Sequence, residues 1–544
     1  MTVRKPSLLV AAVLVLFGSV HAAIGAPEAP PASKHLEKPD EGLFGTGRVP
    51  RLAIVLSHKE YSALQKSPRE IVLCSIRDGS KRFENVGIHL KGSRGSFRTI
   101  DDKPSFTIDF AQFESGRTFA GLRKLHLNNS VEDPSLLCEW IGSTLFRKAG
   151  VPAPRVTHAI VHLNGRPLGL YVLKEAFSDE FVRQQISLAG GNLYEPEDGQ
   201  DVDRRMIRHF GKGPNAQTDL MNLASAAQQA DLDQRWSRLQ SILNVDEFLS
   251  LMAMEVLLDH RDGYCLAKNN FRVYSQSDSG PILFLPHGMD QLFAKPDAPV
   301  NPLMNGLVAR ALKETPEGAA RYRARVDSLF KDVFDPTKLL AAIDLRARQV
   351  AAALDPSERT QWRQKTGSLK ERIRERHRNV SMQLAELKKE RVQFTNGQAP
   401  LNNWHPDSIT ERAHMEVGTN AEGRAVLEIR AKGKTSASWR TSLILPPGRY
   451  RFVARISTSG VIPLAEGRRE GAHVRVLGQS REARKEFIGS HGWAETECDF
   501  EIGDAEGRVQ LLCELTASAG AAWFSLDGLR IERLSVSEPK NPYP

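Results

Sequence analysis

The chain has 544 residues, 74 of them Lys or Arg and 65 Asp or Glu, giving a formal net charge of +9. This length exceeds what one hydrophobic core serves, so we expect two or three domains. The basic residues are dispersed and no basic stripe is interleaved with aromatic residues. The composition therefore gives no case for nucleic-acid binding and only weak support for an acidic partner.

The N-terminus has the pattern of a secretory signal peptide. A basic start is followed by the apolar run "LLVAAVLVLFGSV" and small residues, which predicts a signal peptide at residues 1–26 with cleavage near Ala23 to Ala26. The run is too short to cross a bilayer comfortably, although an uncleaved anchor is the alternative. We therefore predict a secreted or periplasmic chain whose mature part has no membrane span. Residues 27–47, rich in proline and charge, predict an extended linker.

Alternating apolar residues begin near residue 48 and predict several strands before the first long helix. The strands lie in "VPRLAIVLS", "VGIHLKGS", "PSFTIDF" and "LRKLHLNN". The segment "DPSLLCEWIGSTLFRKAG" predicts a helix with proline in its first turn and Gly150 as its stop. Asn164 and Gly165 between two apolar runs predict a hairpin. Helical patterns then dominate from residue 201 to about 393, and a charged run near the end predicts a solvated helix face.

The composition changes near Thr395. Short alternating strands separated by turn residues predict an all-β sandwich over residues 395–544. Its tryptophans could form a platform for a sugar or lie in the core, which is the more frequent place for large aromatic side chains; they are Trp439, Trp493 and Trp523. Cys498 and Cys513 lie on neighbouring predicted strands and could form a disulfide. The remaining cysteines resemble small buried hydrophobic residues: Cys74, Cys138 and Cys265.

Four pieces of the chain suit phosphoryl transfer, which needs a phosphate-binding loop, a cation, a metal-binding carboxylate and a carboxylate near the acceptor hydroxyl. The loop "KGSRGSF" follows a strand, and Lys103 begins the next one. Asp262 lies in "HRDGYCLAKNNFRVY" and Asp290 in "PILFLPHGMD". Each has an ordinary alternative as a turn, a surface lysine or a capping aspartate. The protein-kinase motif also expects asparagine five residues after its aspartate, where this chain has Ala267.

In order and spacing, these pieces resemble the spore coat protein H (CotH) kinase family. The resemblance rests on "VGIHLKGSRGSF", "KPSFTIDF", "FRKAGVPAPR", "NGRPLGLYVL", "GNLYEP", "HRDGYCLAKNNFRVY" and "PILFLPHGMDQLF". It runs from about Arg48 to Phe293, with the following helices completing the domain. It implies an α+β, atypical protein kinase-like domain at residues 48–394, followed by the β-sandwich at 395–544, whose strand pattern is of the jelly-roll or galactose-binding-like type.

The resemblance also implies roles for individual residues. Asp262 matches the catalytic-loop aspartate, and Asn270 and Asp290 match ligands of Mg²⁺. The ATP side is matched by Lys91, Gly92, Ser93, Arg94, Ser96, Lys103 and Glu175. The chain departs from the family at Gly288, where an aspartate is common, and at the preceding His287, which could join the site or be structural.

Two functions from different classes follow. One is an exported, Mg²⁺-dependent kinase that transfers the γ-phosphate of ATP to Ser or Thr hydroxyls of a surface or envelope protein. The other is a catalytically inactive CotH-like scaffold or adhesion protein whose sandwich binds a carbohydrate or a protein. Gly288 and the need for a source of ATP outside the cytoplasm favour the second function.

Overall fold

The structure is a computed structural model. It describes residues 42–45, 47–93, 95–186, 190–197, 199–211, 217–276, 281–389, 392–408, 412–464, 470–477, 485–503 and 507–534. The signal peptide predicted at residues 1–26, most of the predicted linker and Arg94 lie outside the described residues.

Seven strands close into a barrel at the start of the fold. Its elements are β1 (Arg51–Val55), α1 (His58–Lys66), β2 (Val72–Asp78), β3 (Lys81–Lys91), β4 (Ser105–Asp109), β5 (Lys124–Asn128), α2 (Cys138–Lys148), β6 (Val156–Leu163) and β7 (Arg166–Glu175). The order around the barrel is β1-β2-β3-β4-β5-β7-β6. The parallel pair of β1 and β6 closes it, with Arg51 opposite Ile160. Apolar side chains such as Ile54, Ile88 and Phe106 fill its interior.

The predicted hairpin is confirmed, whereas the predicted helix begins later than expected. Asn164 and Gly165 both have positive φ, as a two-residue hairpin turn requires, and they join β6 to β7. Helix α2 begins only at Cys138. The preceding residues form a turn because Asp133 accepts hydrogen bonds from the backbone N–H groups of Ser135 and Cys138.

Helices dominate the next part of the chain, as predicted, around a second sheet. The elements are α3 (Asp179–Phe181), β8 (Asn192–Glu195), β9 (Ile207–Phe210), α4 (Thr218–Ala227), α5 (Leu232–Ile242), α6 (Val245–Leu257), α7 (Tyr264–Ala267), β10 (Phe271–Ser275), β11 (Ile282–Pro286), α8 (Leu307–Glu314), α9 (Pro316–Asp332), α10 (Pro336–Ala353) and α11 (Pro356–Lys389). The sheet is antiparallel, in the order β11-β10-β8-β9. One apolar core joins this sheet to α2 and to the helices that follow.

Helix α11 carries an exposed charged face, as predicted, but Arg376 is fully buried. Its guanidinium donates to the carbonyl oxygens of Val256 and Leu257, at the C-terminal end of α6. It also donates to the carbonyl oxygens of Pro296 and Ala298, in the segment that follows β11. Arg376 thus ties three segments of the fold together.

The C-terminal region consists of two sheets around one core. Its strands are β12 (Gln398–Pro400), β13 (His405–Ser408), β14 (Ala413–Thr419), β15 (Ala425–Ala431), β16 (Thr435–Leu445), β17 (Gly448–Ile462), β18 (Gly471–Val476), β19 (Gly489–Ile502), β20 (Gly507–Ala517), β21 (Ala519–Ser525) and β22 (Arg530–Leu534). One sheet has the order β12-β22-β17-β21-β15-β14 with β19 paired to β17, and the other has β13-β16-β20-β18. Side chains from both sheets, such as Phe452 and Leu511, share the core.

The disulfide predicted between Cys498 and Cys513 is wrong. Both cysteines are free, because β19 pairs with β17 whereas β20 lies in the other sheet. Cys74, Cys138 and Cys265 are buried, as predicted.

The mixed helix and strand class and the β-rich C-terminal region agree with the sequence. The kinase-like character of the first part and the bounds 48–394 and 395–544 stay predictions. Within the described residues, no helix has the length and apolar character needed to span a membrane.

Candidate active site

A cleft of about 910 Å³ lies between the outer wall of the barrel and the helical part of the chain. Most of the residues singled out in the sequence line it: Lys91, Gly92, Ser93, Ser96, Asp262, Asn270 and Asp290. Residues nearly 200 positions apart in the chain, such as Lys91 and Asp290, therefore share one opening. Lys103 and Glu175 do not line this cleft.

The loop that follows β3 is a tight turn. Gly92 has φ +113°, and a Cβ there would lie 3.0 Å from the backbone of Phe97. The backbone N–H of Ser93 donates to Ser96 Oγ at 3.1 Å, and that of Phe97 donates to the carbonyl oxygen of Ser93 at 2.9 Å. Behind the turn, Arg69 donates to the carbonyl oxygen of Gly92. The turn is thus held in place where it borders the cleft.

Basic side chains, three of them lysines, cover the barrel wall of the cleft. Lys91 Nζ donates to Asn128 Oδ1 at 2.7 Å. Burial, and after it the nearby Lys174, lowers the pKa of Lys91 to about 8. The same wall presents Lys124, Lys174, His89 and His126. Burial and the neighbouring Lys91 hold the pKa of His126 well below its usual range. An anion in the cleft would therefore be favoured by this wall.

A buried ion pair between Lys174 and Glu139 joins the barrel to α2. The other carboxylate oxygen of Glu139 accepts the backbone N–H of Met289 at 2.8 Å, so the pair also fixes the segment that carries Asp290. Burial alone would raise the pKa of Glu139, but the ammonium group of Lys174 lowers it. The pair is therefore ionised.

The sequence analysis missed this pair and selected the adjacent Glu175 instead. Successive side chains of a strand point to opposite faces, and Leu173 of β7 packs in the barrel interior. The next residue, Lys174, therefore faces away from the interior and toward α2. This alternation is the signal that could have identified it.

Lys103 and Glu175 have other partners, which corrects the expectation that they join the cleft. The ammonium group of Lys103 lies 5.1 Å from the ring centroid of Tyr171. Burial lowers the pKa of Lys103, and Glu358 on α11 opposes that effect. Glu175 accepts two hydrogen bonds from the guanidinium of Arg155, at 2.8 and 3.1 Å. Each side chain is held outside the cleft by these contacts.

Asp262 lies just after α6 and accepts hydrogen bonds from two asparagines. Asn269 Nδ2 lies 3.0 and 3.1 Å from its two carboxylate oxygens, and Asn270 Nδ2 lies 2.5 Å from Oδ2. A carboxylate offers about four acceptor positions, so Asp262 keeps capacity for a further donor. Its orientation in the cleft is fixed by the two amides.

Gly288 packs against Asn270. It has φ +61°, and a Cβ at this position would lie 2.1 Å from Asn270 Oδ1. A side chain at position 288, where the resemblance led us to expect an aspartate, would therefore require Asn270 to move.

Asp290 is a partly buried carboxylate among other acids. Burial, and after it the neighbouring Glu139 and Glu132, raises its pKa to about 7. A cation close to this carboxylate would reverse the effect, because an opposite charge favours the ionised form. The electrostatic setting of Asp290 thus suits a metal ligand.

His287 lines the cleft beside Arg272. Its Nε2 lies 2.7 Å from a guanidinium nitrogen of Arg272, which also forms an ion pair with Glu195. Burial, and after it Arg272, holds the pKa of His287 well below its usual range. His287 is thus a neutral acceptor that positions Arg272.

The donor set for a cation is small. The described residues contain no group of three or more His, Cys, Asp or Glu side chains that could hold a metal by itself. Mg²⁺ commonly uses one or two protein carboxylates, together with waters and phosphate oxygens. Asp290, with the amide of Asn270 across from Gly288, fits such a partial site.

Among solved structures, carbohydrate-binding modules are similar to part of the chain. They include TmCBM61 in complex with β-1,4-galactotriose (13% identity, 25% of this chain and 91% of that one, TM-score 0.19). Another is the CBM22-1 xylan-binding domain of Paenibacillus barcinonensis Xyn10C (9% identity, 24% and 87%, TM-score 0.17). Scores this low establish neither a fold nor a ligand for this chain.

A curated relative is the inner spore coat protein H of Bacillus subtilis (strain 168), 25% identical over 216 residues. The match covers 37% of this chain and 58% of the relative, so this chain spans less than two thirds of it. The family described as CotH kinase protein matches residues 88–390, which is more than half of the chain and contains the cleft residues. The chain belongs to the CotH kinase protein family.

Proposed function

We propose that this chain is an exported, Mg²⁺-dependent kinase that transfers the γ-phosphate of ATP to Ser or Thr hydroxyls of a surface or envelope protein. The observation that carries the proposal is a single cleft with cations on one wall and Asp262, Asn270 and Asp290 on the other. Family membership supports it. The spore coat relative supports a surface location.

On the donor side, Lys91 and the turn from Gly92 to Ser96 would bind the phosphates of ATP. The ion pair of Lys174 with Glu139 has the composition of the lysine and glutamate pair that protein kinases require. In this chain, Lys174 takes the role that the sequence suggested for Lys103. Arg272, held by Glu195 and His287, would add a further positive charge.

Asp290 and Asn270 would hold Mg²⁺, which neutralises charge on the phosphate oxygens when it is bound. On the acceptor side, Asp262 would orient the hydroxyl and accept its proton. The amides of Asn269 and Asn270 keep its carboxylate in one orientation. Orienting the acceptor is a large part of catalysis when the transition state needs little covalent help from the protein.

The experiment is binding and transfer on the purified mature chain. We expect ATP with Mg²⁺ to raise the melting temperature and labelled phosphate to reach the chain itself or an added protein. Asp290→Ala should lose both effects, whereas Asp262→Asn should lose transfer and keep the shift. No shift with any nucleotide and divalent metal would contradict the proposal and favour the scaffold, which the missing carboxylate at Gly288 supports.

We also propose that the C-terminal region binds a carbohydrate on the outer face of its larger sheet. Ala494 and Phe524 pack on the core, so their neighbours Trp493 and Trp523 face outward. Both tryptophans are half-buried, whereas Trp439 lies in the core.

Strand β17 separates the two tryptophans, which places them about 10 Å apart on one face. The guanidinium groups of Arg455 and Arg430 lie over the rings of Trp493 and Trp523, 5.8 and 5.9 Å from the centroids. The ring face opposite each arginine would take the apolar face of a sugar ring, and the guanidinium groups would donate to its hydroxyls.

This site is tested by titrating the full chain with a panel of neutral and acidic oligosaccharides. The readout is tryptophan fluorescence. We expect a saturable change that is lost in Trp493→Ala with Trp523→Ala and kept in Trp236→Ala, a half-buried tryptophan of α5. No response from the parent chain to any glycan would contradict the assignment.

A further inference from the structure

A groove lined by arginines adjoins the cleft. It consists of two cavities, of about 580 and 1060 Å³, that share Arg204, Arg205 and Gln217. Arg208 lines the first cavity and Arg238 of α5 lines the second. We call these four arginines and the surface between them the arginine groove.

The arginine groove and the cleft share the hairpin of β8 and β9. His209 lines the cleft, whereas the preceding Arg208 lines the groove. Likewise Gly199 lines the cleft and Gln200 the groove. The two openings are therefore separated by a single hairpin.

The charge of the groove is positive. Arg204 and Arg205 are both exposed to solvent. Arg238 donates to Ser225 Oγ at 3.2 Å. The hydroxyl of Ser225 is uncharged, so this contact does not neutralise the guanidinium. Two acids also line the cavities, Asp203 and Glu197, so four arginines face two carboxylates.

Strand β9 offers a place for an extended segment to pair. It is the last strand in the order β11-β10-β8-β9, so its outer edge has no partner strand among the described residues. A peptide can add to such an edge through backbone hydrogen bonds, with specificity coming from neighbouring side chains. Here the neighbouring side chains include Arg208 and the exposed Ile207.

We propose that the arginine groove binds an acidic, extended segment of the acceptor protein next to the Ser or Thr that enters the cleft. The assignment of that segment to an acceptor rests on the proposed kinase function, whereas binding of an acidic peptide does not. Complementary charge explains why an acidic segment, rather than a neutral or basic one, occupies the groove.

The probe is a fluorescein-labelled peptide with one serine flanked by glutamates and aspartates, compared with the same peptide carrying lysines. Binding is measured by anisotropy on the full chain without nucleotide, at 50 and 200 mM salt. We expect the acidic peptide to bind, more weakly at the higher salt. Arg204→Glu with Arg205→Glu should weaken it at least about tenfold. Arg374→Glu with Arg378→Glu, the same charge change on the exposed face of α11, should leave it within twofold.

Equal binding of both peptides, or full binding by the groove variant, overturns the proposal. If the chain is not a kinase, the result is different. No phosphate reaches any peptide, but the acidic peptide still binds to the parent chain and binds more weakly to the groove variant. When transfer does occur, the groove variant should raise KM for the acidic peptide and leave kcat unchanged, because the arginines bind the substrate away from the reacting atoms.

Discussion

Asn270 fills the space that a side chain at Gly288 would need, with its Oδ1 only 2.1 Å from the position of a Cβ on residue 288. The same asparagine donates through Nδ2 to Asp262. A change at position 288 therefore acts on the candidate catalytic carboxylate through Asn270.

Restoring the family aspartate by Gly288→Asp should harm the chain. The new side chain displaces Asn270 and breaks its hydrogen bond to Asp262, at a cost of about 1–3 kcal/mol in the free energy of unfolding. Gly288→Ala serves as the control, because it adds the clash without the charge. Urea unfolding measures the loss of stability, and phosphate transfer measures the loss of activity. A Gly288→Asp chain that is as stable as the parent and more active would show that Asn270 yields its place.

Lys174→Met should destabilise the chain by about 3–5 kcal/mol, because it leaves the buried carboxylate of Glu139 without its counter-ion. Combining it with Glu139→Gln should recover most of this loss, since a neutral amide can still accept the N–H of Met289. Both variants should lose the shift in melting temperature caused by ATP. Denaturant unfolding provides the stabilities. A double variant no more stable than Lys174→Met would contradict the pairing.

Glu255 predicts a pH dependence of stability. Burial raises its pKa to about 7, although it accepts the backbone N–H groups of Tyr264 and Cys265. The folded chain thus holds this proton longer than the unfolded chain, and the resulting stability is complete below about pH 4.5 and lost as pH rises to about 7. Between these pH values the free energy of unfolding of the parent should fall by on the order of 3 kcal/mol relative to that of Glu255→Gln. Parallel pH profiles of the two chains would exclude this role.

Arg376→Ala should cost about 3–5 kcal/mol, because it leaves buried carbonyl oxygens of α6 and of residues 296 and 298 without donors. Arg374→Ala, two residues earlier on the exposed face of α11, should change the stability by less than about 0.5 kcal/mol. Chemical denaturation of the two variants and the parent measures these differences in the free energy of unfolding. Equal effects at both positions would mean that the buried contacts contribute little.

Local structure was largely predictable from the sequence. Asn164 and Gly165 gave the hairpin of β6 and β7 because the turn requires two positive φ angles. The start of α2 was misplaced because the hydrogen bonds of Asp133 outweigh the helix signal of Pro134. Closure of the barrel was not predictable, since no local pattern pairs two distant strands.

The candidate site was predictable in part. Asp262, Asn270 and Asp290 follow from motif order, and they line one cleft. Lys174 was missed by one position. Both it and Glu175 are charged, and they differ only in the face of the strand on which each side chain lies. Glu139 was missed because a carboxylate in the first turn of a helix is ordinary in a sequence. Its burial becomes visible only once α2 packs on the barrel.

The parallel pair of β1 and β6 has a consequence for how the chain folds. Arg51 finds its partner Ile160 more than 100 residues later, so the first strand made is completed only after nearly the whole barrel has been synthesised. Contacts between such distant residues slow folding, because the entropy of closing the loop is lost before the contacts form. Until β6 arrives, β1 presents an open strand edge, which is the stage at which this chain is most exposed to aggregation.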